Sequence, residues 1–223
     1  MRYYAEKLSG ERLRRCYAIA PPRVKQYLQA EIDHVLGRLH HDDTVLELGC
    51  GYGRVACELV KKASRVVGID TATKSLDLGR QLAGSGLPCE FLGMDAAATG
   101  FPDNLFDVVL CVQNGICAFG IDKTRLVQEA VRVCRSGGRI LFSSYAEQFW
   151  PHRLAWFELQ AAHGLLGDID YKSTGNGVIV CRDGFRAGLM RPRDFQMLWM
   201  KLGLTPDIKE VDGSATFCES VIV

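Results

Sequence analysis

Residues 44–55 read Thr-Val-Leu-Glu-Leu-Gly-Cys-Gly-Tyr-Gly-Arg-Val, and the rest of the chain is organised around them. A short apolar run stops at three glycines, Gly49, Gly51 and Gly53, and apolar residues at helical spacing begin at Val55. The run has the character of a buried parallel strand, while glycine admits positive φ and lets a ligand lie against the backbone. The stretch therefore predicts a strand that leads through a ligand-binding turn into a helix.

The spacing of these glycines distinguishes between classes of nucleotide site. The dinucleotide fingerprint places glycines at i, i+2 and i+5, but here they lie at i, i+2 and i+4, and Arg54 occupies the fifth position. The Lys-Ser/Thr ending of a triphosphate-binding loop is absent. Glu47, two residues before the first glycine, makes the site acidic, which favours a cationic ligand over a polyphosphate.

Length and composition limit the classes of protein to consider. A chain of 223 residues with 48% hydrophobic residues can bury one large core, and a net charge of +1 gives no bulk preference for nucleic acid or lipid. Without a signal-like N-terminus or an apolar run of membrane-spanning length, we expect a soluble cytoplasmic protein. Nine cysteines without a C-x-x-C pair favour reduced thiols over a disulfide framework or zinc site.

Acidic residues follow two further predicted strands. Asp70 ends an apolar strand that starts at Arg65 and lies 21 residues after Gly49, close to the interval at which nucleotide-binding α/β folds place a ribose carboxylate. The same side chain could instead cap the helix near Thr73. Asp95 follows the next strand, where it could contact a base or stabilise a turn. Together with the glycine turn, these positions favour a nucleoside ligand.

Glu47-Leu-Gly-Cys-Gly-Tyr-Gly resembles the first motif of class I S-adenosylmethionine-dependent methyltransferases, whose ligand carries an amino group and a sulfonium but no phosphate. The resemblance extends over about residues 42–144 by motif and to the C-terminus by element order. It implies an α/β fold, a three-layer α/β/α Rossmann-like sandwich whose seven-stranded sheet has the order 3-2-1-4-5-7-6, mostly parallel with one antiparallel strand. It also implies S-adenosyl-L-methionine as cofactor and S-adenosyl-L-homocysteine as product.

The resemblance places the cofactor contacts at the ends of the first four strands. Asp70 would bind the ribose, Asp95 would accept from the adenine amino group, and Ala96 would offer its backbone N–H to the ring. The acceptor loop after the fourth strand lacks an Asn-Pro-Pro-Tyr type of motif, which argues against a DNA adenine or protein glutamine target. The predicted cofactor-binding residues are Glu47, Gly49, Cys50, Gly51, Gly53, Asp70, Thr71, Met94, Asp95, Ala96, Cys111 and Gln113; no metal ligand is predicted.

The parts outside the resemblance should determine the substrate. We expect an N-terminal helical lid over residues 1–41 and a methyltransferase domain over 42–223, with a substrate-covering insertion at about 145–190 that ends in a hairpin turning at Asp183-Gly184. The candidate substrate-binding residues are Tyr3, Tyr4, Asn114, Tyr145, Trp150 and His152. The remaining predicted elements are helices over 74–83, 122–134 and 192–202 and strands over 89–92, 106–111, 139–144, 207–211 and 216–222, with residues 135–138 as a turn into the fifth strand.

Methyl transfer from a sulfonium is an in-line displacement, and the cofactor supplies the reactive power. The protein mainly aligns the acceptor and excludes water, so such a site can work without an acid or base, and we name no catalytic residue. A hydroxyl acceptor would benefit from a base, for which His152, Glu147 and His163 are the local candidates. A surface or packing role explains each of these three side chains better than a role as base.

The main expectation is an enzyme that methylates N or O of a small molecule, as a monomer or homodimer, without nucleic-acid or membrane partners. An RNA or protein methyltransferase would need a basic face, which the net charge does not suggest. Cys111 and Cys117, which flank the acceptor loop, leave open a metalloid methyltransferase of the arsenic type, although packing also explains Cys111. A non-catalytic S-adenosylmethionine-binding protein also stays open, whereas the glycine spacing disfavours a nicotinamide dehydrogenase.

Overall fold

The computed structural model describes residues 3–84 and 86–223, and a seven-stranded sheet forms their centre. Its strands are β1 (Thr44–Leu48), β2 (Arg65–Asp70), β3 (Cys89–Gly93), β4 (Phe106–Cys111), β5 (Cys134–Tyr145), β8 (Asp207–Val211) and β9 (Ala215–Val221). Two short strands between β5 and β8, namely β6 (Ile179–Val180) and β7 (Arg186–Ala187), form a separate hairpin. The sheet order is β3-β2-β1-β4-β5-β9-β8, and β9 alone runs antiparallel. Without the hairpin this is the expected order 3-2-1-4-5-7-6.

Helices cover both faces of the sheet. They are α1 (Tyr3–Lys7), α2 (Glu11–Ala18), α3 (Pro22–Leu36), α4 (Ala56–Leu59), α5 (Thr73–Ala83), α6 (Gly115–Ala118), α7 (Lys123–Val133), α8 (Trp150–Ala162) and α9 (Pro192–Lys201). Alternate residues of a strand point to opposite faces, so Val45 packs with α3, α4 and α8, whereas Leu46 packs with α7 and α9. The expected three-layer sandwich is confirmed. Across residues 3–84 and 86–223, none of these helices is long and apolar enough to cross a membrane.

Two element boundaries differ from the sequence prediction. β5 begins at Cys134 instead of Arg139, because Phe106 pairs with Cys134 and Val108 with Arg139, and residues 135–138 bulge from the strand. A Cβ on Gly138 would lie 2.8 Å from the Asp107 carbonyl oxygen, so the bulge requires glycine there. The helix after the glycine turn is a single turn, α4, because β2 starts only six residues after its end.

The N-terminal helices contact the segment predicted as the insertion. The Tyr3 hydroxyl donates to the Asp183 carboxylate, and Lys7 Nζ donates to the Asp183 carbonyl oxygen at 2.9 Å. Arg12 donates to the Gly164 carbonyl oxygen at 2.9 Å, and Trp156 Nε1 donates to that of Cys16 at 3.0 Å. The division into lid, domain and insertion stays a prediction, but these bonds hold residues 3–18 against residues 156–185. The predicted hairpin is confirmed as β6 and β7.

A buried ion cluster joins α3 to the sheet on the side away from the glycine turn. Glu219, in β9, is 2% exposed, and its carboxylate lies 2.6 Å from His34 Nε2 and 2.9 Å from Arg38 Nε. Burial on its own raises the pKa of Glu219, but hydrogen bonds and charge from His34 and Arg38 outweigh it and lower the pKa from 4.5 to about 2. Since the folded state lowers this pKa, ionised Glu219 stabilises the fold.

We expect Glu219→Gln to lower the free energy of unfolding at neutral pH by about 3 kcal/mol, because His34 and Arg38 lose their carboxylate partner in a largely buried cluster. In the wild-type protein this contribution is present above pH 4.5 and is lost as pH falls towards about 2, so the two unfolding curves should converge over that interval. Denaturant unfolding of both proteins across this pH range measures the difference between their free energies of unfolding. Glu90→Gln, which breaks an exposed pair with Arg65, is the control and should change stability by less than about 1 kcal/mol.

Candidate functional site

A cavity of about 340 Å³ opens at the carboxyl ends of β1, β2 and β4. Residues of α1 and α2 form its outer wall, and residues of α8 close one side. Open α/β sheets bind ligands at this edge, and the volume falls within the range of small-molecule sites. The sheet edge and the N-terminal helices therefore enclose one candidate site.

The glycine turn forms the floor of the cavity. The backbone N–H groups of Gly49 and Cys50 donate to the Ile69 carbonyl oxygen at 2.8 and 2.9 Å, and φ is +76° at Gly49 and +55° at Gly51. Both of these glycines line the cavity, but Gly53 does not. A Cβ on Gly53 would lie 2.4 Å from the Phe91 ring, so this glycine permits packing of the turn onto the sheet.

Asp70 connects the glycine turn to the end of β2. Its Oδ2 accepts from the Gly51 N–H at 2.9 Å, and its Oδ1 accepts from the Ala72 N–H at 2.8 Å. Burial raises the pKa of Asp70, and these backbone hydrogen bonds act against that shift. Each carboxylate oxygen can accept a second hydrogen bond. Asp70 therefore both stabilises the turn and retains acceptors for a ligand diol.

The other predicted nucleoside contacts lie beside Asp70. Thr71, Met94, Asp95 and Ala96 all line the same cavity. Asp95 Oδ1 accepts from the Ala97 N–H at 2.9 Å, which shapes the backbone turn around Ala96. The sequence thus correctly predicted that these residues come together, and their binding of a ligand stays a prediction.

An acidic and a basic side chain, Glu47 and Arg54, line the cavity beside the glycine turn. Glu47 is 4% exposed, and its Oε2 has no hydrogen-bond partner among the described residues. Burial raises the pKa of Glu47 to about 8, although the positive charge of Arg54 opposes this. Arg54 Nε and Nη2 are likewise buried and without partners among the described residues, and the guanidinium lies 5.1 Å from the centroid of the Tyr17 ring.

Buried polar atoms in native proteins are almost always hydrogen-bonded. Within residues 3–84 and 86–223, Glu47 and Arg54 form no ion pair with each other at 4.0 Å or less, although both line one cavity. A ligand that carries an ammonium and a carboxylate would satisfy both groups. The arrangement therefore suits the zwitterionic end of an amino acid.

The opposite half of the cavity is aromatic. Its walls include rings from α1, α2, β5 and α8, namely Tyr4, Tyr17, Tyr145, Trp156 and Phe157. The Tyr17 hydroxyl donates to Gln113 Oε1 at 3.0 Å. Among the described residues that line the cavity, Arg54 is the one basic side chain. This half therefore suits a flat, uncharged ring better than an anion.

Five predicted site residues do not line the cavity, namely Gly53, Cys111, Asn114, Trp150 and His152. Cys111 packs in the opposite core, and His152 is exposed on α8. The Asn114 amide donates to the Gly188 carbonyl oxygen and accepts from the Ser144 hydroxyl, so it connects the loop to β5. Glu147 and His163, proposed as bases, are also exposed. The predicted residues that do line it are Glu47, Gly49, Cys50, Gly51, Asp70, Thr71, Met94, Asp95, Ala96, Gln113, Tyr3, Tyr4 and Tyr145.

Sequence reasoning missed several residues of this wall. Arg54 follows the last glycine directly, and that position was the available signal for it. Tyr17 was not among the predicted residues, and Trp156 and Phe157 reach the cavity only because α8 docks against α2. Phe119 lies against Gly49, and nothing in the local pattern indicated that contact.

Comparison with known proteins agrees with this geometry. Residues 45–138 match the model of a family described as a methyltransferase domain. The chain is 31% identical over 137 residues to 2-methyl-6-phytyl-1,4-hydroquinone methyltransferase of Synechocystis, covering 57% of this chain and 42% of that protein. It is 30% identical over 116 residues to a ubiquinone biosynthesis O-methyltransferase of Nitrosomonas europaea, and this match covers 51% of this chain and 48% of that protein. The chain thus spans about half the length of these curated relatives.

Structural comparison covers more of the chain. The crystal structure of magnesium protoporphyrin IX methyltransferase from Synechocystis with bound SAH superimposes with a TM-score of 0.64. The alignment covers 99% of this chain and 97% of that protein, at 17% sequence identity. At that identity the similarity concerns the fold, and it includes the N-terminal helices and the segment after β5.

Proposed function

We propose that this chain is a class I, Rossmann-like methyltransferase that transfers the methyl group of S-adenosylmethionine to a small aromatic acceptor by in-line displacement. The observation that carries this proposal is the set of buried polar atoms of Glu47 and Arg54 beside the glycine turn, which have no hydrogen-bond partners among the described residues. The methionine part of the cofactor has the ammonium and carboxylate that these side chains lack. An NAD pyrophosphate at the same turn would instead meet the Glu47 carboxyl.

The rest of the cofactor would extend along the ends of β1 to β3. Asp70 would accept from the ribose hydroxyls, and the turn at Met94, Asp95 and Ala96 would contact the adenine. The sulfonium would then lie near Gln113, between the glycine turn and the aromatic half. Tyr17 and Tyr52, whose rings are 5.9 Å apart, are placed to favour a cation by contact with their faces.

The acceptor that fits the aromatic half is an uncharged ring. The walls offer aromatic faces and hydroxyl groups, and Arg54 is already assigned to the cofactor. One of the two curated relatives is named as a hydroquinone methyltransferase and the other as an O-methyltransferase of ubiquinone biosynthesis, which supports a ring of the quinol kind. We propose methylation at N or O of such a compound by a cytoplasmic monomer or homodimer; the net charge of +1 favours a small molecule over RNA.

Binding and turnover test the proposal separately. Isothermal titration calorimetry with S-adenosylmethionine, S-adenosylhomocysteine and NAD should give tighter binding of the first two, and tighter binding of NAD would refute the cofactor assignment. Release of S-adenosylhomocysteine is then measured over a panel of phenols, anilines and quinols and over total RNA. Turnover confined to RNA would refute the small-molecule acceptor while leaving the cofactor in place.

Asp70→Ala is expected to weaken S-adenosylmethionine binding by about 1–3 kcal/mol, because the ribose loses a charged hydrogen-bond acceptor. Calorimetric dissociation constants measure this directly. Asp77→Ala removes an exposed carboxylate on α5 that pairs with Arg80, and it should leave the constant unchanged. Equal affinity in the Asp70 variant and the wild type would remove Asp70 from the binding site.

A further inference from the structure

A second group of unpartnered polar atoms lies behind the aromatic half of the cavity. Tyr27 Oη, Glu31 Oε2 and Gln113 Nε2 are buried without hydrogen-bond partners among the described residues. Glu31 is fully buried, and the proposed cofactor contacts do not include its carboxyl group. Gln113 lines the cavity, whereas Tyr27 and Glu31 form the layer behind it.

Regular helix and strand geometry brings this group together. Tyr27 and Glu31 are one turn apart on α3 and share its buried face. Ser143 and Tyr145 alternate on β5 and point to the same side of the sheet. The Ser143 hydroxyl and the Gln113 N–H, the latter at 3.2 Å, donate to Glu31 Oε1. Glu31 Oε1 is therefore occupied, and Oε2 is free.

Tyr27 shares the buried face of α3 with Glu31, and its ring centroid lies 5.1 Å from that of Tyr145. Burial, and then the charges of Glu31 and Tyr145, raise the pKa of Tyr27. Tyr145 itself lines the cavity. The order from the cavity inward is thus Tyr145, Tyr27 and Glu31.

Charged and titratable groups surround Glu31 on several elements. Burial raises its pKa to about 7, while Ser143, Tyr27, Arg54 and the Gln113 N–H lower it. Cys111 of β4 and Tyr145 of β5 are the other titratable groups that interact with it. A buried carboxyl that titrates near neutrality can both take up and release a proton.

We propose that Glu31 is the proton acceptor for a hydroxyl substrate and acts through Tyr27 and Tyr145. The inference rests on the proposed methyl transfer and narrows its acceptor to a phenolic hydroxyl. The acceptor oxygen forms a bond to the methyl carbon as the carbon–sulfur bond breaks, and the electron pair of that bond returns to sulfur. The hydroxyl proton passes to Tyr145 Oη, the Tyr145 proton to Tyr27 Oη, and the Tyr27 proton to Glu31 Oε2. The products are the methyl ether, neutral S-adenosylhomocysteine sulfur and protonated Glu31.

The test compares acceptors of different acidity. Catechol is the weakly acidic probe, and 4-nitrocatechol is the probe already ionised at a pH above the Glu31 pKa. Initial rates with saturating S-adenosylmethionine are measured across pH for the wild type, Glu31→Gln, Tyr27→Phe and the control Glu129→Gln. Glu129 is a buried carboxylate on α7 that bonds to Arg132 and Thr99, so its replacement controls for the loss of such a group elsewhere.

We expect Glu31→Gln and Tyr27→Phe each to lower the catechol rate by about a hundredfold, but the 4-nitrocatechol rate by far less. The wild-type catechol rate should fall as pH drops below about 7, because protonated Glu31 cannot accept another proton. The rate of Glu31→Gln should not show this fall at low pH. Equal losses on both probes would indicate a structural role and overturn the inference. Methylation of anilines or thiophenol without methylation of catechol or 4-nitrocatechol would also overturn the inference. So would cofactor binding at normal affinity without methylation of any acceptor. Failure to bind S-adenosylmethionine would instead refute the proposed function.

Discussion

Gly51→Val is expected to abolish S-adenosylmethionine binding, with a dissociation constant raised by about a hundredfold or more. Gly51 has a φ of +55°, and a Cβ there would lie 3.1 Å from Leu13 Cδ2 in α2. Valine would place two further methyl groups in the part of the cavity where the glycine turn meets α2. Since the sheet does not pass through this position, the variant should fold. Calorimetry gives the binding loss, and circular dichroism reports the fold.

The matched control is Gly203→Val. Gly203 also has a left-handed φ, +73°, but nothing lies within 4 Å of its Cβ position. Both variants carry the backbone strain of a side chain in this conformation, about 1–2 kcal/mol, so both should lose similar stability. Only Gly51→Val should lose binding. A Gly51→Val protein that binds the cofactor within about threefold of the wild type would place the ligand elsewhere.

Arg54→Leu is the second substitution with a large expected effect, and it should remove a contact with the methionine end of S-adenosylmethionine. We expect S-adenosylmethionine affinity to fall by about 2–4 kcal/mol, because the carboxylate of the methionine part would be left without its partner in a buried site. 5′-Methylthioadenosine has no amino-acid part, and its affinity should change little. The ratio of the two dissociation constants therefore isolates the contact with Arg54.

Arg65→Leu serves as the control for loss of a positive charge. Arg65 lies at the start of β2, is half-exposed and pairs with Glu90 at 2.7 Å. Arg65→Leu should leave the dissociation constants of S-adenosylmethionine and 5′-methylthioadenosine unchanged. If Arg54→Leu weakened both ligands equally, its effect would be on the shape of the turn instead of on the carboxylate, and the zwitterion assignment of Glu47 and Arg54 would be wrong.

Much of this fold was predictable because its signals are local. An apolar run that stops at Gly49 marked β1, and an apolar run that ends at Asp70 marked β2. β4 and α5 were predicted to within one residue of their observed bounds. The failures depend on distant partners. The start of β5 at Cys134 depends on its pairing with Phe106 of β4 across a bulge, and a chain segment read alone does not reveal such a register.

The candidate site divides in the same way. Asp70 and Ala96 were predicted because a motif places them at strand ends, which meet at one edge of a parallel sheet. Trp156 reaches the cavity through the docking of α8 on α2, which the sequence does not specify, whereas His152 on the same helix is exposed and does not line the cavity. Glu31 carried a readable signal, since a glutamate interrupts the apolar stripe of α3 between Leu28 and Ile32.

The bond between Tyr3 and Asp183 joins residues 180 positions apart in the chain. It lies in a seam, formed with the bonds of Lys7 and Arg12, that holds the outer wall of the cavity against residues 164–183. Separation of this seam would widen the cavity, and opening steps of this kind often limit turnover in enzymes with covered sites. Substitutions in the first turn of the protein would then alter how fast it works while every reacting group keeps its position.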